Sequence, residues 1–212
     1  MIRVIGRILS GTIGAIVVTA GVFALYHANE DKLSVNQAPA VFKAIERMEK
    51  TGVPDFELER LDGTRLKLSD YKGKIIIVNF WASWCNPCVE EFPSMVKLAQ
   101  AMSNDVQIIA ISTDDDKKDI ATFAKLFNLL QKGFEIVWDK SQLVRKSYEV
   151  DKIPESFLVN RDMKLIRKVL GVEDWASPSA LEYFKSLTSG ATASSADGPV
   201  PAPSPVGSET SK

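Results

Sequence analysis

Two kinds of apolar pattern divide the middle of the chain. "FELERLDGTRLKL" alternates apolar and polar residues around Asp62-Gly63, which is a hairpin signal. "KIIIVNFWAS" and "DVQIIAIST" are nearly continuous apolar runs rich in β-branched residues, as expected of central strands buried on both faces. "FEIVWD", "ESFLVN" and "KLIRKVLG" predict three further strands, the last two flanking a turn at Arg161-Asp162. Helical spacing separates them. "APAVFKAIERMEK", at 38–50, repeats Val41, Ile45 and Met48 at intervals of four and three. One helix begins at Cys85, "KKDIATFAKLF" and "SQLVRKSYEV" predict two more, and a closing helix runs from Ser177-Pro178 through Leu181, Phe184 and Leu187. Strands alternating with helices, then a late hairpin, predict an α/β fold: a three-layer domain with a mixed central sheet over 53–187.

The ends of the chain have different patterns. "ILSGTIGAIVVTAGVFALY", from Ile8 to Tyr26, carries no charge. At about 1.5 Å per helical residue it just spans a hydrocarbon core of roughly 30 Å. Arg3 and Arg7 precede it and Glu30 and Asp31 follow. The positive-inside rule then keeps 1–7 in the cytoplasm, makes 8–26 a transmembrane signal anchor, and exports the rest. "VFA", ending at Ala24, would allow cleavage as a signal peptide, but the run is longer than the usual h-region. Residues 27–52 are expected to be a linker containing the first helix. The tail, 188–212, is Ser, Ala, Pro and Gly with no large apolar residue except valine, and is expected to be disordered.

Charge and composition narrow the function classes. A net charge of −1 gives no footprint for nucleic acid. Two cysteines and one histidine, His27, do not assemble a zinc site, and no metal site is expected. Neither a G-x-G-x-x-G nor a P-loop spacing occurs, so no nucleotide cofactor is expected. What remains is "WASWCNPCVEEFP", which holds both cysteines, Cys85 and Cys88. A disulfide closing so small a loop removes little entropy from the unfolded chain, so a purely structural staple is a weak explanation. A C-x-x-C between a strand and a helix suits redox work. Cys85 falls at the helix N-terminus, where free N–H groups and the macrodipole favour a thiolate; it is the expected nucleophile, with Cys88, one turn inward, the resolving thiol. The expected cofactor set is empty beyond this cysteine pair. Pro87 suits the first helical turn.

On a wheel of about 100° per residue, Val89, Phe92, Met95, Val96, Leu98, Ala99 and Met102 form an apolar arc, with Glu90, Ser94 and Lys97 opposite, towards water. Glu91 falls inside the arc and is i+3 from Cys88. It reads either as an acid at the arc's edge with its tip in water, or as a buried carboxylate with a raised pKa that exchanges protons with Cys88. Pro93 should disturb the helix. Trp81 is expected in the core, Trp84 beside the nucleophile as a flat surface for partners, and Asn79 as a hydrogen-bonded structural amide.

"FWASWCNPCVEEFP", with "PDFELERLDGTRLKLSDYKGK" before it and "KIPESFLVNRDMKLI" after it, resembles the thioredoxin superfamily. The likeness is to its membrane-anchored TlpA/ResA/CcmG-like thiol-disulfide oxidoreductases. The resemblance implies a thioredoxin-like fold, a cis bond before Pro154, and a client-binding surface of Trp84, Pro87, Ile153, Pro154 and Glu155. It matches Glu91 to the acid three residues past the second cysteine. Asn79 stands where classical thioredoxins carry a buried aspartate, which leaves proton exchange to Glu91. It also implies a bacterial inner-membrane protein with its catalytic domain in the periplasm. The clients implied are disulfides of apocytochrome c or copper-site assembly proteins, with electrons from a DsbD- or CcdA-type membrane conduit. Alternative activities are disulfide formation or isomerisation, a peroxidase (though neither cysteine lies in a P-x-x-x-T-x-x-C site), and metal carriage.

Overall fold

The computed structural model describes residues 40–189. The expected anchor and most of the expected tail lie outside the described residues. Among the described residues no helix is long and apolar enough to cross a membrane. The chain divides into two units, Met1–Lys43 and Ala44–Lys212; the first reaches the described residues only at the opening turn of α1.

The described strands are β1 (Glu57–Arg60), β2 (Arg65–Lys67), β3 (Ile75–Trp81), β4 (Val106–Ser112), β5 (Phe134–Trp138), β6 (Glu155–Val159) and β7 (Leu165–Leu170). The helices are α1 (Ala40–Thr51), α2 (Asn86–Met102), α3 (Lys117–Leu126), α4 (Leu143–Ser147) and α5 (Pro178–Thr188). The strands form one sheet of order β2-β1-β5-β4-β3-β6-β7. β3, β4 and β5 run parallel, while β6 pairs antiparallel with β3 and with β7. The sheet is therefore mixed. The early hairpin extends it, because β1 pairs antiparallel with β5.

Every residue of β3 and β4 is buried, and their pleat sorts side chains into two cores. Ile75, Ile77 and Trp81 point into one core with α2, α3 and α5; Ile76, Val78 and Phe80 point into the other with α1 and α4. This is the three-layer α/β arrangement expected.

Three expectations change. Helix α1 is not a linker: Ala44 and Met48 are buried in the second core, so the domain takes in the back of this helix. Helix α4 is only five residues long, because Gln142 and Glu149 on either side adopt left-handed backbone (φ 57° and 52°). Helix α2 runs unbroken through Pro93, so the wheel positions beyond it keep their register.

Candidate active site

Cys85 caps α2. Its backbone is extended (φ −89°, ψ 97°), its carbonyl accepts the Val89 N–H at 3.2 Å, and its sulfur accepts the Cys88 N–H at 3.3 Å. The sulfur thus meets one of the N–H groups that a helix start leaves without an intrahelical partner. Cys85 and Cys88 are joined as a disulfide. Cys88 is fully buried and Cys85 nearly so, whereas Asn86 and Pro87 are exposed and Trp84 is 68% exposed. Trp84, next in sequence to the less buried of the two cysteines, is therefore largely at the surface.

The loop leading into the disulfide is clamped from a neighbouring strand end. The Asp114 carboxylate accepts the Ser83 N–H (3.1 and 3.0 Å), the Ser83 hydroxyl (2.6 Å) and the Ser112 hydroxyl (2.6 Å). Nothing in the run of three aspartates at 114–116 distinguished Asp114 beforehand; only the parallel pairing of β3 with β4 brings it under Ser83.

Glu91 is buried, 1% exposed. Its Oε1 accepts Asn79 Nδ2 at 2.8 Å and its Oε2 accepts Trp175 Nε1 at 3.3 Å. Asn79 Nδ2 also donates to Ser156 Oγ at 3.0 Å, an outcome of the β3–β6 register that sets Asn79 opposite Ser156. Burial pushes the Glu91 pKa up to about 7, although the Trp175 and Asn79 hydrogen bonds favour the ionised form. Asn79 is thus more than a structural amide, since it holds the acid. Glu90, the preceding residue, is exposed as the wheel predicted.

Ser94 is a correction. The wheel placed it towards water, but it is half-buried. Its hydroxyl lies 2.8 Å from the Glu91 carbonyl and 3.2 Å from the Glu173 carbonyl, and accepts the Trp175 N–H at 3.1 Å. A loop between β7 and α5 packs on this flank of α2, which a wheel drawn on a single helix does not include. Trp175 itself was missed. Its only sequence signal was a large aromatic residue in the stretch "EDWASPS", which holds no other large apolar side chain.

The second cluster of expected client contacts is only partly at the surface. The Ile153–Pro154 bond is cis. Ile153 is half-buried and Pro154 buried. Glu155 is the other correction: it is 5% exposed, and Lys168 Nζ lies 2.9 Å from its Oε2. It shares its strand face with Phe157 and Val159, which belong to the second core, so the pleat turns Glu155 away from α2. Lys168 also sits over the Phe157 ring, 5.2 Å from its centroid. Glu155 is placed for an internal ion pair and not for contact with a client.

The geometry has known counterparts. Residues 50–168 match the AhpC/TSA family. The chain belongs to that family and, within it, to the ResA-like thiol-disulfide oxidoreductases. It is 36% identical to thiol-disulfide oxidoreductase ResA of Bacillus subtilis over 134 residues, covering 62% of this chain and 73% of the relative. It is 30% identical to ResA of Bacillus cereus over 185 residues, covering 85% and 91%. Among solved structures, a thiol:disulfide interchange protein DsbE of Chlorobium tepidum superposes with a TM-score of 0.54 at 28% identity, covering 64% of this chain and 92% of that one. Like its relatives, the protein is a thiol-disulfide oxidoreductase with a thioredoxin-like fold.

Proposed function

We propose that this protein reduces disulfides of client proteins in an extracytoplasmic compartment, at Cys85 and Cys88. The observation that carries the reading is the arrangement at the start of α2. A nearly buried sulfur caps the helix, a fully buried sulfur is bonded to it, and a buried acid with a pKa of about 7 lies one turn further on.

In the reduced protein the Cys85 thiolate attacks one sulfur of a client disulfide. The client S–S bond breaks, and its released sulfur leaves as a thiolate that takes up a proton. The Cys88 thiol gives its proton to the Glu91 carboxylate and attacks the Cys85 sulfur. This expels the second client sulfur, which is protonated in turn. Two electrons pass to the client, and the protein ends as the Cys85–Cys88 disulfide. Glu91 suits the proton step because Cys88 is fully buried and water does not reach it. Trp84, Pro87 and the Ile153–Pro154 turn form the surface that receives the client chain.

Each cycle consumes a dithiol. In an oxidising compartment the electrons must come from a membrane conduit of the DsbD or CcdA type. Apocytochrome c and copper-site assembly proteins are the client classes, and the uncharged run at 8–26 is the anchor that holds the domain at the bacterial inner membrane, on its periplasmic side.

Trapping tests the assignment. Cys88→Ser, with Cys85 intact, should accumulate mixed disulfides with clients, because only a second thiol resolves them. Cys85→Ser should accumulate none. Equal trapping by the two variants refutes Cys85 as the nucleophile. A redox potential measured against glutathione separates a reductase, with a potential below that of the compartment, from a disulfide-forming oxidase above it.

A further inference from the structure

We propose that Trp175 is a positioning residue for the proton step: its indole N–H fixes Oε2 of Glu91 and favours the ionised acid that takes the proton of Cys88. This rests on the reading of Glu91 as the proton acceptor. Trp175 is buried against Phe184 of α5, with ring centroids 6.4 Å apart, so packing alone would account for its ring. Packing does not account for the direction of its N–H, which points at the acid.

The loop that carries it is tied at both ends to the site. Gly171 N–H donates to the Pro154 carbonyl at 3.0 Å, beside the client-facing turn. Trp175 N–H donates to Ser94 Oγ, three residues beyond Glu91 on the same helix. Helix α2 therefore holds the backbone of Trp175 with one turn and meets its indole with the preceding one. Asn79 also donates to Glu91, but its amide nitrogen is shared with Ser156, and the Glu173 backbone adds a further hydrogen bond. The indole N–H has Glu91 as its single partner among the described residues. A donor hydrogen-bonded to a carboxylate stabilises the charged form, and burial opposes it. The titratable groups near Glu91 are Glu173 on the loop and Cys88, three residues earlier on the same helix; β3 and β6 contribute the neutral Asn79 and Ser156. In the disulfide form Cys88 does not titrate, so Glu91 can be followed there without it.

Nuclear magnetic resonance of the disulfide form tests this without reference to activity. The Trp175 indole proton, assigned through its contact with Phe184, should shift with pH about a midpoint near 7 in the wild-type protein. It should lose that titration in Glu91→Gln. Trp175→Phe keeps the aromatic packing and removes the N–H. It should raise the midpoint of the Glu91 carboxyl carbon by about one pH unit, the size expected for a hydrogen bond to a charged group. The pH profile of client reduction should move in the same direction. An indole resonance that is flat through pH 7 in the wild type, or an unmoved Glu91 midpoint in Trp175→Phe, overturns the proposal. If Trp175→Phe does not fold, the wild-type and Glu91→Gln indole titrations decide it. A Glu91→Gln enzyme with the wild-type pH profile overturns the proton role of Glu91 and this role of Trp175 together. A profile that responds to Glu91→Gln but not to a folded Trp175→Phe overturns only the latter.

Discussion

Two buried glutamates sit on opposite faces of one sheet, and only one of them has a cation beside it. Glu155, on the face shared with α1 and α4, has the Lys168 ammonium 2.9 Å away. Glu91, on the face shared with α2 and α5, has neutral donors, from Asn79, Trp175 and the Glu173 backbone, and no cation beside it among the described residues. A buried charge must be paired or neutralised. Glu155 is paired. Glu91 is left with a pKa of about 7, able to take or give a proton under ordinary conditions. The comparison separates two uses of a buried acid: an ion pair builds structure, and a carboxylate without a counter-charge is available for chemistry, here one turn from a buried cysteine.

The largest expected effect comes from breaking the pair. Lys168→Met leaves the Glu155 carboxylate buried without a cation, and should cost about 3–5 kcal/mol in a denaturation experiment. Adding Glu155→Gln should recover much of that loss. Neither change should move the pH profile of client reduction, because the pair lies on the face away from the disulfide. A shift there would mean that the two faces are coupled.

Glu91 should affect stability through pH. Above about pH 4.5 the unfolded chain releases this proton, whereas the folded chain keeps it until about pH 7. Through that window the native state binds more protons, so stability falls as pH rises, by on the order of 3 kcal/mol in all. Glu91→Gln should remove that slope, as read from denaturant midpoints of the disulfide form between pH 4 and 8. An unchanged slope would show that Glu91 ionises in the folded protein much as it does in the unfolded chain.

Smaller effects are expected in turnover. Removing the Glu91 charge should ease thiolate formation at Cys88, lowering the apparent thiol pKa values of the reduced protein and moving the reduction profile to lower pH. These values belong to the coupled group of Cys85, Cys88 and Glu91, not to single residues. Turnover should slow where proton exchange at Cys88 limits it, by several-fold or more against the roughly 10²–10⁴-fold that a positioned acid or base contributes. The smallest effect is expected of Glu90→Gln, one residue away and in water, which should leave both profile and stability close to wild type. If the Glu90 and Glu91 variants behave alike, the contrast between a surface acid and a buried one has no functional content.

Much of this was legible in the chain because it depends on local spacing. Apolar runs located the strands, and the two cores follow from their pleat. The spacing of Cys85 and Cys88 at a strand–helix junction pointed to redox chemistry. The helical period set Glu91 among apolar residues and Glu90 in water, since both depend only on the geometry of one helix. The identity of the partners depends on strand register and loop placement, which local spacing does not encode. Asn79 meets Glu91 because β3 and β6 pair in one register, with Ser156 alongside. Trp175 reaches the acid, and meets Ser94, because a loop folds back over α2, and Asp114 grips Ser83 because β3 and β4 lie side by side. Glu155 showed the same limit from the other direction. Its position after Pro154 suggested the client surface, and the pleat turned it into the opposite core, towards Lys168. The sequence by itself determined which residues could do the chemistry, through short-range periodicity. Only the tertiary structure decided which of them are deprived of water and of a counter-charge, because burial and pairing come from segments far apart in the chain.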